Sequence, residues 1–202
     1  MKNGAAGGPA PVSKMALTKE DLLTLYINLI RTRAFDRAFV RRLGEGKLLG
    51  FYHPADGGEA PGVGACSLLR QEDYLWGHIR GHGLPHMIGK GIDPKFFMAE
   101  HAGKDTGMCR GMSTFHSVAP EYGLMGAAGT IGSGFPVTVG YGLAAKKNGR
   151  GQVVVSCFGD GTSNRGTFHE CALMVNNWKL PVVFLCENNG MGMYVPVKDS
   201  HP

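Results

Sequence analysis

The sequence predicts an α/β protein whose doubly wound, mainly parallel sheet has helices on both faces. Two short apolar runs rich in β-branched residues, at 153–158 and 182–186, are typical of strands buried on both faces. Between them, apolar residues recur at helical spacing, at Phe168, Cys171, Ala172, Val175 and Trp178. Strand, helix and strand form a right-handed βαβ unit, which makes the two strands parallel and places their carboxyl ends at one edge of the sheet.

The remaining elements follow in order along the chain. Thr18 and Asp21 fit a capping box that opens a helix, and this helix should end at residues 44–46. Four further elements are expected: a short helix that runs to about residue 69, a strand at 73–76, a helix at 93–101 and a helix opened by the glycine-rich stretch 126–142. That stretch suits either a phosphate cradle or close packing between helices.

Composition and charge limit the classes of function. Glycine makes up 32 of the 202 residues without any period, which indicates tight turns and close backbone approaches rather than a collagen-like chain. The formal charge of +5 comes without a run of lysine and arginine interleaved with aromatic residues. Nucleic-acid binding is therefore a weak hypothesis, and small anionic ligands suit the charge equally well.

A single domain at residues 18–202 is expected behind a disordered N-terminal tail at 1–17. This tail lacks the apolar core of a secretory signal and the arginines of a mitochondrial one. No apolar run approaches the roughly 18 residues that a membrane span needs. The five cysteines are odd in number and lack CxxC spacing, which favours buried free thiols and a cytoplasmic location. Because the chain stops just after the second core strand, we expect a fragment or an incomplete gene product, truncated at its C-terminus.

Polar side chains follow both strands of the βαβ unit. Asp160 lies between two glycines after the first strand, and Asn189 follows the second strand 29 residues later. These two side chains and a backbone carbonyl, that of Met191, would form half of the oxygen octahedron that Mg²⁺ prefers beside a diphosphate. Asp-Gly is also common in hairpin turns, and asparagine pairs are common in loops. The helical pattern after Asp160 argues against a hairpin, and the sequence predicts a metal–diphosphate site.

Three histidines raise a second metal hypothesis. His78, His82 and His86 are spaced four residues apart, which would place them on one face of a continuous helix as zinc ligands. Two glycines and a proline between them argue against such a helix. We therefore favour the magnesium site.

The GDG…ENN arrangement resembles the thiamine diphosphate motif. The segment 158–193 closely resembles the alpha subunit of the decarboxylating component of 2-oxo acid dehydrogenase complexes, which pyruvate, branched-chain 2-oxo acid and acetoin dehydrogenases share. The resemblance covers roughly residues 20–200. It implies the thiamine diphosphate-binding fold, bound Mg²⁺ and thiamine diphosphate, oxidative decarboxylation of a 2-oxo acid such as pyruvate, and acyl transfer to lipoyl groups.

The resemblance also implies roles for individual residues. The cofactor-binding residues would be Arg80, His82, Gly129, Ile131, Asp160, Gly161, Thr162 and Asn189. The metal ligands would be Asp160, Asn189 and the backbone of Met191. His53 and His116 would be catalytic polar groups at the substrate end of the site. At two positions the chain departs from the family pattern, because Gly58 replaces a glutamine and Ile79 replaces a tyrosine.

The same resemblance implies partners. It implies a beta subunit in an α2β2 heterotetramer, a lipoyl acyltransferase and a small-molecule 2-oxo acid. From the charge pattern and the lack of a long apolar run, we expect no nucleic-acid partner and no membrane. In the family, the glutamate that activates the aminopyrimidine ring lies on the beta subunit. Three alternatives stay open. The first is another thiamine diphosphate enzyme, such as an acetoin dehydrogenase alpha subunit or a transketolase half. The second is a non-catalytic Mg-nucleotide-binding module, although the sequence lacks the GxxxxGK[ST] motif, and the third is an inactive fragment.

Overall fold

A four-stranded parallel sheet organises residues 17–200, the part of the chain that the computed structural model describes. Its strands are β1 (Tyr74–Trp76), β2 (Leu124–Gly126), β3 (Val154–Gly159) and β4 (Val182–Glu187), in the order β2-β1-β3-β4. A short antiparallel hairpin of β5 (Met191–Gly192) and β6 (Val195–Pro196) follows the sheet. The predicted tail at 1–17 lies outside the described residues except for its last position.

Helices connect the strands. They are α1 (Lys19–Gly44), α2 (Glu59–Cys66), α3 (Leu84–Gly89), α4 (Pro94–His101), α5 (Gly134–Asn148), α6 (Gly166–Trp178) and α7 (Val197–Ser200). Three short 3₁₀ segments lie at Arg80–Gly83, Pro120–Tyr122 and Asp160–Asn164. Among the described residues, no helix is long and apolar enough to cross a membrane.

The sheet has a hydrophobic core on each face. Val155 and Cys157 of β3 point into one core, which contains Phe39 of α1 and residues of α2, α3 and α4. Phe158, next along the strand, points the opposite way and packs with Phe135 of α5 and with α6. Side chains alternate between the faces of a strand, so a fully apolar strand such as β3 can serve two cores at once. The predicted doubly wound α/β fold with helices on both faces is confirmed.

The start of α1 shows how local sequence fixes an element. Thr18 Oγ1 accepts a hydrogen bond from the Asp21 backbone N–H at 3.1 Å, and the Asp21 carboxylate accepts one from the Thr18 backbone N–H at 2.9 Å. This reciprocal pair satisfies donors that the first turn of a helix leaves free. The predicted capping box is confirmed, and the helix ends at Gly44 as expected.

The predicted βαβ unit is present, with one correction. β3 and β4 pair in parallel from Val154↔Val182 to Gly159↔Glu187, so the two strands end side by side. Burial on both faces holds for β3 but is wrong for β4, where Val183 is 53% exposed and Cys186 is also exposed. Within the described residues β4 has a neighbour on one side only, so less of its surface is covered.

Candidate functional site

The turn after β3 and the segment after β4 meet at the carboxyl edge of the sheet. Their backbones come so close that a Cβ atom added to Gly161 would lie 3.1 Å from Gly192 Cα. Only glycine allows two backbone segments to approach in this way. This contact places the turn that carries Asp160 against the segment that carries Asn189 and Met191. Asp160, Asn189 and Met191 are the three predicted metal ligands.

Asp160 has a buried oxygen atom that lacks a partner among the described residues. Its side chain is 4% exposed, and Oδ2 has no hydrogen-bond partner among residues 17–200. A buried carboxylate is costly unless a hydrogen bond or a cation compensates it. A hard divalent cation such as Mg²⁺, which takes carboxylate oxygen ligands, fits this atom.

The asparagine pair is held in tight local turns. Asn188 Oδ1 accepts the Gly190 backbone N–H at 2.8 Å, and Asn189 Oδ1 accepts the Met191 backbone N–H at 3.0 Å. An amide oxygen has two lone pairs, so Asn189 Oδ1 keeps one for a metal ion. These turns fix the positions of the Asn189 side chain and the Met191 backbone relative to each other.

A cleft of about 490 Å³ opens beside the asparagine pair. It is lined by Asn188 and Asn189 together with Arg80, His78 and the loop around Asp56. The Arg80 side chain is exposed in this cleft. A guanidinium offers charge and paired hydrogen bonds to a phosphate, so the donor set suits an anionic ligand with its metal ion.

A narrower pocket of about 40 Å³ adjoins the end of β1. Ile131 and Thr162, two of the predicted cofactor-binding residues, line it together with His78 and Trp76. The Ile131 side chain is 49% exposed. Such an exposed apolar side chain beside polar groups suits contact with an apolar ring of a ligand.

His53 and His82 lie together, although their environments differ. His82 Nε2 accepts the His53 backbone N–H at 3.2 Å and lies 2.9 Å from His53 Nδ1. The His82 ring is fully buried, which together with its neighbours His53, His101 and His116 lowers its pKa to about 3. His82 therefore contacts His53 rather than an open cleft. Burial, then Arg80 and His78, also lower the pKa of His53, so its ring is neutral near pH 7.

The loop that carries His116 is held by a buried carboxylate. Glu100 accepts backbone N–H groups of Cys109 at 2.7 Å, Gly111 at 2.9 Å and Ser113 at 2.7 Å. Burial alone would raise the pKa of Glu100. These hydrogen bonds together have the larger effect, so its pKa lies below the usual value. The loop ends at His116, whose exposed ring accepts the Gly129 backbone N–H at Nε2 over 3.4 Å. Two predicted site residues, His116 and Gly129, are thus neighbours.

The sequence indicated His86 only as a candidate zinc ligand and did not predict its contact with Glu187 at this edge. Glu187 Oε1 accepts a hydrogen bond of 2.6 Å from His86 Nε2, and its other oxygen lies 3.8 Å from His78 Nδ1. Burial alone would raise the pKa of Glu187, but His86 and His78 lower it to about 2. The position of Glu187 at a strand end was visible, but His86 lies 101 residues away and gave no local signal.

The histidine trio does not form the zinc face that its spacing could suggest. Gly81, His82 and Gly83 adopt left-handed backbone angles, which break the helix between His78 and His86. His82 then contacts His53, whereas His86 contacts Glu187. His86, Glu187 and Cys157 offer ligand atoms within 4.8 Å of one another, and within this group His86 and Glu187 are joined by a hydrogen bond.

This fold and this site define an α/β protein whose polar groups gather at the carboxyl edge of a parallel sheet, where such sheets bind ligands. The chain belongs to the dehydrogenase E1 component family, whose sequence model matches residues 28–201. This match and the curated relatives described next confirm the resemblance to alpha subunits of 2-oxo acid dehydrogenases.

Several curated proteins are similar to the chain. The alpha subunit of acetoin:2,6-dichlorophenolindophenol oxidoreductase from Bacillus subtilis is 40% identical over 90% of this chain and 54% of its own length. The protein of that name from Cupriavidus necator is 42% identical over 87% of this chain and 53% of its own length. The chloroplastic pyruvate dehydrogenase E1 component subunit alpha-3 of rice is 37% identical over 92% of this chain and 46% of its own length. The chain spans about half the length of the curated relatives it matches.

Proposed function

We propose that the chain is an alpha subunit of a thiamine diphosphate-dependent 2-oxo acid dehydrogenase and binds Mg²⁺ with thiamine diphosphate. The observation that carries the proposal is the buried oxygen of Asp160, which has no partner in the described part of the chain and lies where the GDG turn meets the asparagine segment. This position lies at the carboxyl edge of the sheet, where parallel sheets commonly bind ligands, in a chain of the dehydrogenase E1 component family.

The proposed ligand set follows from these positions. Asp160, Asn189 and the backbone carbonyl of Met191 hold Mg²⁺, while Arg80 holds the diphosphate through charge-assisted hydrogen bonds. The remaining predicted contacts come from Gly161 and Thr162 near the diphosphate, from Gly129 and Ile131 near the rings, and from His82 through its contact with His53. When bound, thiamine diphosphate supplies the electron sink that accepts negative charge as CO₂ leaves a 2-oxo acid.

The two catalytic histidines act at the substrate end in this proposal. His53 is neutral near pH 7 and can accept a proton or a hydrogen bond. His116 contacts the backbone of Gly129, so its ring is anchored beside the predicted ring-binding segment. Both side chains hold or move protons, while the fixed loops around them provide the orientation on which rate enhancement depends.

Partners complete the proposed enzyme. Relatives named as alpha subunits support a beta subunit in an α2β2 assembly, and a lipoyl acyltransferase is the proposed acyl acceptor. The exposed apolar side chains Val183 on β4 and Leu173 and Met174 on α6 support such an assembly, since protein partners commonly cover apolar surface. A cytoplasmic location is supported by the five free cysteines, which are usual in reducing compartments.

The proposed substrate is a small 2-oxo acid or acetoin. Relatives named for acetoin share 40% and 42% identity with the chain, and the rice relative named for pyruvate shares 37%. Both substrates therefore belong in the assay. Co-expression with a family beta subunit and reduction of 2,6-dichlorophenolindophenol would measure turnover of each. A complex that binds the cofactor but oxidises neither would favour the inactive-fragment alternative.

Ligand binding is the direct test of the proposed function. Calorimetry would compare Mg²⁺ with thiamine diphosphate against Mg-ATP, for the chain alone and for its complex with a beta subunit. We expect binding of thiamine diphosphate, weak for the chain alone and stronger in the complex, and no binding of ATP. Preference for ATP would reject the proposal in favour of a nucleotide-binding module.

A pair of arginine variants sharpens this test. Arg80→Met keeps the apolar stem and removes the guanidinium from the cleft, which should weaken cofactor binding about 10–100-fold. Arg150→Met is the matched control, because Arg150 is exposed near the opposite edge of the sheet, before β3 begins. Equal losses in the two variants would remove Arg80 from the proposed ligand set.

A further inference from the structure

His82 is enclosed by aromatic rings beside the loop that carries His53. Its ring centroid lies 4.5 Å from that of Phe115, 4.9 Å from that of Tyr52 and 5.5 Å from that of Phe51. The side chain is fully buried. Only one of its nitrogens makes hydrogen bonds in the described chain, because Nδ1 has no partner among residues 17–200. Any hydrogen bond by which His82 acts on the site therefore involves Nε2.

Two donors converge on that nitrogen. The backbone N–H of His53 points at His82 Nε2 over 3.2 Å, and His53 Nδ1 lies 2.9 Å from the same atom. A backbone N–H can only donate, so His82 Nε2 carries no proton and acts as an acceptor. An acceptor at 2.9 Å from His53 Nδ1 requires the proton on Nδ1, because two bare nitrogens would repel each other at this distance.

We propose that His82 is a positioning residue that fixes His53 in the tautomer with its proton on Nδ1, which leaves Nε2 as a bare acceptor. The hydrogen bond made by one ring nitrogen of a histidine sets the protonation of the other. No described protein group bonds to His53 Nε2, so this atom is free for a ligand. The value of this arrangement for catalysis rests on the proposed function, in which His53 faces the substrate.

The charge states of the two rings agree with this assignment. Burial, then His53, His101 and His116, lower the pKa of His82 to about 3, so its Nε2 stays an acceptor at neutral pH. Burial, then Arg80 and His78, lower the pKa of His53. A neutral His53 with a bare Nε2 can take a proton or accept a hydrogen bond there. It cannot donate from Nε2 until it has been protonated.

The tautomer can be read directly by NMR. Two-bond ¹H–¹⁵N correlation spectra of the 202-residue chain, labelled at its histidine ring nitrogens, distinguish protonated from bare nitrogens. At pH 7.5 we expect His53 to show a protonated Nδ1 and a bare Nε2. A protonated Nε2 on His53 in the unsubstituted chain would overturn the proposal without any variant. The exposed His169 serves as the internal reference for an unconstrained ring.

Two variants separate the hydrogen bond from packing. His82→Phe keeps a ring in the aromatic enclosure and removes the acceptor, so the proton of His53 should move to Nε2 in most molecules. His82→Gln offers a carbonyl oxygen as a replacement acceptor and should restore the Nδ1 tautomer. A folded His82→Phe variant whose His53 keeps its proton on Nδ1 would contradict the proposal. If this variant does not fold, the unsubstituted chain and His82→Gln still decide.

Activity gives a second readout that separates this inference from the proposed function. In the complex with a beta subunit, His82→Phe should lower kcat/KM about 10–100-fold, as loss of an outer hydrogen-bond partner of a functional histidine does, and His82→Gln should recover most of it. The NMR spectra are recorded without cofactor. Failure of thiamine diphosphate to bind would therefore reject the proposed function and leave the tautomer assignment intact.

Discussion

Glu187 accepts a hydrogen bond of 2.6 Å from His86, and this contact ties the carboxyl end of β4 to α3. His86 is fully buried within α3. Glu187 stands directly before the asparagine pair. Burial would lower the pKa of His86, but Glu187 raises it above its usual value. The two groups thus form an ion pair beneath the candidate metal site.

Removal of the His86 side chain should be costly. His86→Phe leaves the Glu187 carboxylate buried without its partner, and we expect a loss of about 3 kcal/mol in the free energy of unfolding. Urea denaturation measures this change. His169→Phe, on an exposed position of α6, is the control and should stay within about 0.5 kcal/mol. Adding Glu187→Leu to His86→Phe should recover part of the loss, and an additive double variant would argue against the pair.

Glu100 should make stability depend on acid pH. Its folded-state pKa lies below the usual value of 4.5, so its contribution is present above that pH and is lost as the pH falls. Glu100→Gln should cost about 2–3 kcal/mol at pH 7, because an amide cannot replace the carboxylate at three backbone N–H groups. The difference from the unsubstituted chain should shrink between pH 5 and about 3 in urea unfolding. A constant difference across this range would show that the charge of Glu100 is unimportant.

Two glycines of α5 should respond in opposite directions to the same substitution. A Cβ atom added at Gly134 would lie 2.7 Å from Trp76 Cδ1, whereas one added at Gly140 would meet nothing within 4 Å. Gly134→Ala should therefore destabilise the fold by about 1–3 kcal/mol. Gly140→Ala should stabilise it by about 0.5–1 kcal/mol, since alanine loses less backbone entropy in a helix. Thermal unfolding of the two variants tests both signs.

Asp160 should contribute to ligand binding without stabilising the folded chain. Asp160→Asn removes a charge from a buried oxygen that has no described protein partner, so the melting temperature without ligand should stay equal or rise. The rise in melting temperature on addition of Mg²⁺ and thiamine diphosphate to the complex with a beta subunit should disappear. Asp105→Asn, at an exposed position, is the control. A ligand-induced rise that persists in Asp160→Asn would exclude Asp160 as a metal ligand.

The β3–α6–β4 unit could be predicted because its signals are local. Apolar runs, helical spacing and the interval between Asp160 and Asn189 all lie within about forty residues. The capping box at Thr18 was equally visible, because its hydrogen bonds join residues three positions apart.

The features that sequence reasoning missed depend on distant contacts. His86 and Glu187 are 101 residues apart, and His82 and His53 are 29 residues apart, so no spacing pattern in the sequence indicates either contact. The exposure of Val183 was also unpredictable from its own strand. It depends on which neighbours β4 has, whereas the apolar run in the sequence is the same for a central strand and an edge strand.

The open side of β4 has a practical consequence for handling the protein. Within the described residues this strand has β3 on one side only, so its other side presents unpaired backbone N–H and C=O groups beside the exposed Val183. An apolar edge of this kind is a template on which further strands can add. Without the proposed beta subunit, the chain should therefore self-associate at high concentration, so spectra and unfolding curves of the chain alone need concentrations at which it stays monomeric. Co-expression with a beta subunit should suppress aggregation.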